Sequence, residues 1–120
     1  GTIGLATVIP IDLPKFSIFV SLALLKLSSN VIPSYIAEII NSKIIKIQFV
    51  RYLKGIGVPD LHLENIANTL IPLPPLKKQT QIANHITKIR NQAKQLRTEA
   101  QTQFQQTKQQ VEAMILGETP

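Results

Sequence analysis

The residues best suited to chemistry in this 120-residue chain are basic, and they cluster. Lys43, Lys46, Arg51, Tyr52 and Lys54 lead into Gly55-Ile56-Gly57, and His62 follows. Lys and Arg neutralise phosphates, glycines let backbone N–H groups approach closely, and Arg can read a guanine edge with two hydrogen bonds. These residues equally describe an ordinary solvated helix face, and their spacing leaves both readings open. His62 either hydrogen-bonds within a loop or touches a base edge.

Catalytic constellations are absent. A metal-dependent nuclease needs two or three clustered carboxylates with a Lys. Asp60 and Glu64 are the nearest candidates, no acid-x-Lys follows them, and Glu64 reads as a helix-start acid. His62 and His85 lack an acidic or histidine neighbour at ligand spacing. Gly1-Thr2-Ile3-Gly4 is too short for a phosphate cradle, which needs Gly, four residues and then Gly-Lys-Ser/Thr, and it reads as a tight turn. Pro74-Pro75 lacks the flanking side-chain amide and aromatic ring that amino-methyl transfer to a flipped base requires, because Leu73 and Leu76 stand there. No catalytic residue, metal or cofactor is expected.

Composition points to a polyanionic partner. The chain carries 13 Lys and Arg against 7 Asp and Glu, a net charge of +6, which favours nucleic acid first and an anionic membrane surface second. Cysteine is missing, so disulfides, zinc–thiolate sites and thiol catalysis are excluded, and a reducing cytosol fits. The most apolar stretch, Phe16 to Leu27, has about a dozen residues where a membrane span needs about 20, so no membrane association is expected.

The elements that must position the basic residues follow from punctuation and period. Leu5 to Ile9 is β-prone, and Pro10 and Pro14 bracket a turn. Phe16, Ile18, Val20, Leu22, Leu24 and Leu27 nearly alternate with smaller or polar residues, which predicts a buried strand. Ser28-Ser29-Asn30 reads as a turn. Pro33 suits the first position of a helix whose face is Tyr35, Ile36, Ile39 and Ile40 and whose end is Asn41-Ser42. Ile44, Ile47, Val50 and Leu53 predict a second helix with Lys43, Lys46, Arg51 and Lys54 mostly off its apolar face. A short helical turn near Leu61, Leu63 and Ile66 and a last strand from Thr69 to Leu73 complete the head. The fold class expected is therefore α+β: a small mixed α/β head, residues 1–76, followed by one long coiled-coil-type helix, residues 77–117, and a tail, 118–120. Because the first β-prone segment is already under way at Leu5, the domain is expected to start upstream of Gly1.

The long helix has a readable edge. No Pro or Gly interrupts the chain from Lys77 to Leu116. Ile82, Ile86, Ile89, Ala93, Leu96 and Ala100 step by four and three. Phe104, Thr107, Val111 and Met114 continue after one extra step of four, so this is a heptad seam with a single stutter. Its large residues, Ile82, Ile86, Ile89, Leu96, Phe104, Val111 and Met114, are the expected helix-pairing positions. Ten Gln residues between Lys77 and Pro120 read as solvated filler, and Gly117 as the stop.

One junction carries a family likeness. Ile71-Pro72-Leu73-Pro74-Pro75-Leu76-Lys77-Lys78-Gln79-Thr80-Gln81-Ile82 resembles a signature of type I restriction–modification specificity subunits, as do Gly1-Thr2-Ile3-Gly4 and Val31-Ile32-Pro33-Ser34-Tyr35-Ile36. The resemblance covers nearly all of the chain. It implies part of a target-recognition domain that reads double-stranded DNA, joined to a spacer helix that pairs with a second long helix. It further implies methyltransferase (modification) subunits that clamp around those helices and a restriction subunit that joins them, all chemistry being done by these partners. Lys77-Lys78 departs from the family's usual acidic pair. At 120 residues the chain is expected to be a fragment, a decayed gene product or a half-subunit that forms a homo-oligomer through the long helix. The rival reading is a coiled-coil assembly module that binds no DNA.

Overall fold

The computed structural model describes residues 3–53 and 60–118. Its elements are four helices: α1 (Pro33–Ile40), α2 (Lys43–Tyr52), α3 (Leu63–Ala67) and α4 (Leu76–Leu116). Among the described residues there is no strand, which overturns the expected α+β class. The chain divides into two units, Gly1–Ala83 and Asn84–Pro120, with the boundary inside α4.

The two expected strands fail for separate physical reasons, and β-prone Leu5 to Ile9 forms no strand either. Phe16 to Leu27 has the right alternation, but a turn at Val20 and Ser21 interrupts it, closed by Leu22 N–H donating to Phe19 C=O at 2.9 Å. Val20 is 93% exposed, and Phe16, Phe19, Leu22 and Leu24 are exposed too. Alternation reports a half-buried extended segment; it does not supply the second strand that a ladder needs. Thr69 to Leu73 runs into Pro72, Pro74 and Pro75, which cannot donate to a ladder.

Side-chain amides do the work of the missing strands. Ala6 N–H donates to Asn41 Oδ1 (2.9 Å), and Asn41 Nδ2 donates back to Ala6 C=O (2.8 Å). Leu70 is held the same way by Gln48, at 3.0 and 2.8 Å. A primary amide carries one acceptor oxygen and two N–H donors, so each side chain pairs with a peptide group as a neighbouring strand would. Tyr35 adds a third tie, its hydroxyl donating to Pro72 C=O at 2.8 Å.

The helix boundaries follow local chemistry. Pro33 opens α1, and Asn41 N–H closes it on Ala37 C=O at 3.1 Å. Tyr35 and Ile36 are buried, with Ile39 and Ile40 packed against the same cluster and Ala83 of α4 inside it. α1 packs on α2 and α2 on α3. In α2 the buried residues are Ile45 and Phe49, whereas Ile44, Ile47 and Val50 of the expected apolar face are exposed. Gly4 selects this stripe. It sits at φ +75°, and a Cβ there would lie 2.6 Å from the Phe49 ring. A bare glycine lets the backbone lie against that ring.

α4 is continuous for 41 residues, about 60 Å at 1.5 Å per residue. Its C-terminus is a Schellman motif: Gly117 at φ +72° donates to Met114 C=O, and Glu118 N–H reaches back to Ala113 C=O at 2.9 Å. Its first turns are anchored by Gln79, which is 1% exposed and therefore no filler. Gln79 Oε1 accepts from Ile32 N–H (2.9 Å), while Nε2 donates to Pro74 C=O (2.8 Å) and Asn30 C=O (3.1 Å). Every hydrogen-bonding direction of this buried amide but one lone pair is used, as burial of a polar group demands.

Candidate nucleic-acid interface

α2 is a helix of opposite sides. Ile45 and Phe49 fix one side in the core, Tyr52 is half-buried beside them, and Gln48 is spent on Leu70. That leaves Lys43, Lys46 and Arg51 on the solvent side with Ile47 and Val50 between them, all exposed. Lys43 and Arg51 lie eight residues apart, about 12 Å along the axis. Lys46 stands one turn from Lys43.

α2 itself carries charge of one sign. α2 contains no acidic residue, and its first turn carries Lys43 and Lys46 at the positive end of the helix dipole. A like charge there costs about 0.3–1 kcal/mol when exposed, and a bound anion reverses the sign. The Ser42 hydroxyl does not cap this end; it donates to Ile39 C=O at 2.6 Å. Cationic groups flanking exposed Ile47 and Val50 give the mixture that meets phosphates on one hand and thymine methyls on the other. An α-helix with its side chains is about 10–12 Å across, a width that a major groove of about 12 Å admits.

The other expected site residues distribute as follows. Lys54, Gly55 and Gly57 lie outside the described residues. His62 is exposed at the N-cap of α3, where its backbone N–H donates to Asn65 Oδ1 at 3.1 Å. α3 packs on α2, so His62 stands at the start of the helix next to the basic one. Sequence reasoning read Asn41 only as a helix end and Gln79 as filler, and passed over Gln48; their amides hold α1, α4 and α2 against extended chain. The signal available for them was a polar residue where a helix face turns inward.

The expected helix-pairing positions all fall on α4. Ile82 packs against the Tyr35–Ile36–Ala83 cluster, and Ile86 is half-buried. Ile89, Leu96, Phe104, Val111 and Met114 are exposed, Leu96 at 66%. Among the described residues no group of three or more His, Asp or Glu could hold a metal ion. No described helix is long and apolar enough to cross a membrane.

No curated protein and no solved structure matches the chain. A family model does, over residues 3–105: the type I restriction modification DNA specificity domain. The match takes in the extended N-terminal segment, the basic helix, the proline junction and most of α4. On that extent the chain belongs to the family of type I restriction–modification DNA specificity domains.

Proposed function

We propose that the chain reads DNA through the outer side of α2 and engages its partner proteins through α4. Lys43, Lys46 and Arg51 hold phosphates or base edges of double-stranded DNA, with Lys54, Gly55, Gly57 and His62 as further contacts; Tyr52, half-buried on the core side of α2, takes no part. The seam from Ile82 to Met114 is covered by a second long helix, from another copy or another chain. Methyltransferase subunits dock on that helical layer and the restriction subunit joins them; the chain itself binds and orients and performs no reaction.

The observation that carries this reading is the acid-free, solvent-facing basic surface of α2 in a chain matched to a DNA specificity family along most of its length. A second reading, a coiled-coil assembly module without DNA binding, is favoured by the exposed seam alone.

A gel shift of the chain with its methyltransferase subunit, run on duplex DNA across a salt series, separates the two. Three phosphate contacts predict a slope of about −2.7 in log affinity against log salt. An apolar coiled coil has no such slope. Absence of a shift at low salt, with the protein–protein complex intact, would defeat the DNA reading.

A further inference from the structure

The outermost residue of α2 is apolar. At about 100° per residue, Ile47 stands about 160° round the helix from each of the buried residues Ile45 and Phe49. Its neighbours one turn away are Lys43 and Ile44 before it and Val50 and Arg51 after it. All five are exposed, with Ile44 at 59%, Ile47 at 46% and Val50 at 65%. Two cations and two apolar side chains therefore ring an apolar crest. A helix face that serves solvation alone carries charged or polar residues at its crest. Helix propensity does not favour these three residues either, because β-branched side chains lose rotamer freedom in a helix. Among the described residues no ion pair takes up Lys43 or Arg51.

We infer that Ile47, supported by Ile44 and Val50, is the base-reading centre of α2 and selects duplex DNA by thymine C5 methyl groups. The inference rests on α2 entering a major groove, the reading proposed above, and adds the choice of base to it. In that groove thymine alone of the four bases presents a methyl group, and an apolar side chain is its complement. Lys43 and Arg51 lie about 40° to either side of Ile47, so both reach toward phosphates while the crest faces the base edges. Ile44 to Val50 spans about 9 Å of helix axis, the rise of about two or three base pairs. Against a G·C pair the same crest leaves the cytosine amino group and the guanine acceptors without partners, and that penalty rejects the wrong base. Cations set on both sides of the crest favour a polyanion over an apolar protein surface, where each would lose its water unpaired.

The test uses the full chain with its methyltransferase subunit. A preferred duplex is selected from a random-sequence pool. Its thymines are then replaced one at a time by deoxyuridine, which removes the C5 methyl and keeps every hydrogen-bonding group. One or more neighbouring positions should each lose about fourfold in affinity, the effect of withdrawing one methyl from apolar contact. Ile47→Ala, its helicity checked by circular dichroism, should bind the thymine and deoxyuridine duplexes equally at those positions. Its salt slope should match the parent's, because no phosphate contact is lost. A selected duplex that lacks thymine, one insensitive to deoxyuridine throughout, or an Ile47→Ala chain that keeps the parent's preference would overturn the inference. In each of these cases a salt-dependent shift leaves the DNA reading standing. An Ile47→Ala chain that loosens the methyltransferase complex with the thymine preference intact would make the crest a protein contact and overturn the inference as well. Failure to shift any duplex at low salt would remove both.

Discussion

Replacing Gln79 with Leu is the sharpest perturbation the fold offers. The two side chains are close in size, so the volume filled at this buried position is nearly kept. What goes is the amide, leaving Ile32 N–H, Pro74 C=O and Asn30 C=O without the partners they have at 2.9, 2.8 and 3.1 Å. A net hydrogen bond contributes about 0.5–1.5 kcal/mol, and a stranded buried group costs more, so the three together come to about 2–4 kcal/mol. Domains of this size gain only about 5–15 kcal/mol from folding, and such a loss lowers the melting temperature by more than about 10 °C. Far-ultraviolet circular dichroism is dominated by α4, so the assay is the near-ultraviolet signal of buried Tyr35, followed through thermal unfolding. Gln79→Glu provides an internal check. One carboxylate oxygen still accepts from Ile32 N–H, while the other faces two carbonyl oxygens and is tolerated only when protonated. Its folded-state pKa is therefore raised above the ordinary Glu value of about 4.3. The stability it retains is present below that value and is lost as pH rises through the raised one. A Leu variant within about 0.5 kcal/mol of the parent, or a Glu variant indifferent to pH, would refute the view that this amide anchors the start of α4.

Four further outcomes are expected. Lys46→Glu with Arg51→Glu should weaken duplex binding for all sequences and flatten the salt slope by about 1–2, read by gel shift. Gly4→Ala puts a Cβ 2.6 Å from the Phe49 ring at a φ of +75°, and should cost about 1–3 kcal/mol in thermal unfolding. Burial raises the Tyr35 phenol above its usual range, so Tyr35 favours the fold while protonated. That contribution is fully present below the ordinary tyrosine value and is lost as pH rises through the raised one, and Tyr35→Phe should abolish this part of the alkaline loss in pH-dependent melting. Leu96→Asp should lower the mass of any assembly built along α4, measured by light scattering; an unchanged mass would remove the seam from its role.

Elements marked by punctuation were legible in the residues. Pro33 opens α1, Asn41-Ser42 closes it, and Gly117 stops α4, because each of these residues restricts or frees the backbone locally. The strands were not legible. Phe16 to Leu27 has the period of a half-buried strand, but a period describes one segment and a ladder needs two. The buried side of α2 was misread for a related reason: Ile44, Ile45, Ile47, Phe49 and Val50 are apolar on several sides, so spacing supports more than one stripe. The choice of Ile45 and Phe49 is made from outside the helix, by α1 and by the bare backbone of Gly4. Gln79 was hidden because its partners lie 47 and 49 residues earlier in the chain as well as nearby at Pro74. The basic cluster was readable as residues, but only the burial of Ile45 and Phe49 shows that Lys43, Lys46 and Arg51 share the outward side.

The break in rhythm between Ala100 and Phe104 gives α4 an absolute address. A perfectly regular heptad edge looks the same to its mate after every seven-residue slide, so several alignments compete at similar energy. One irregular step removes that degeneracy, much as a single notch orients a key. Any helix seated along this edge fits best in one axial position, and whatever its far end carries is thereby placed at a fixed distance from the proline junction.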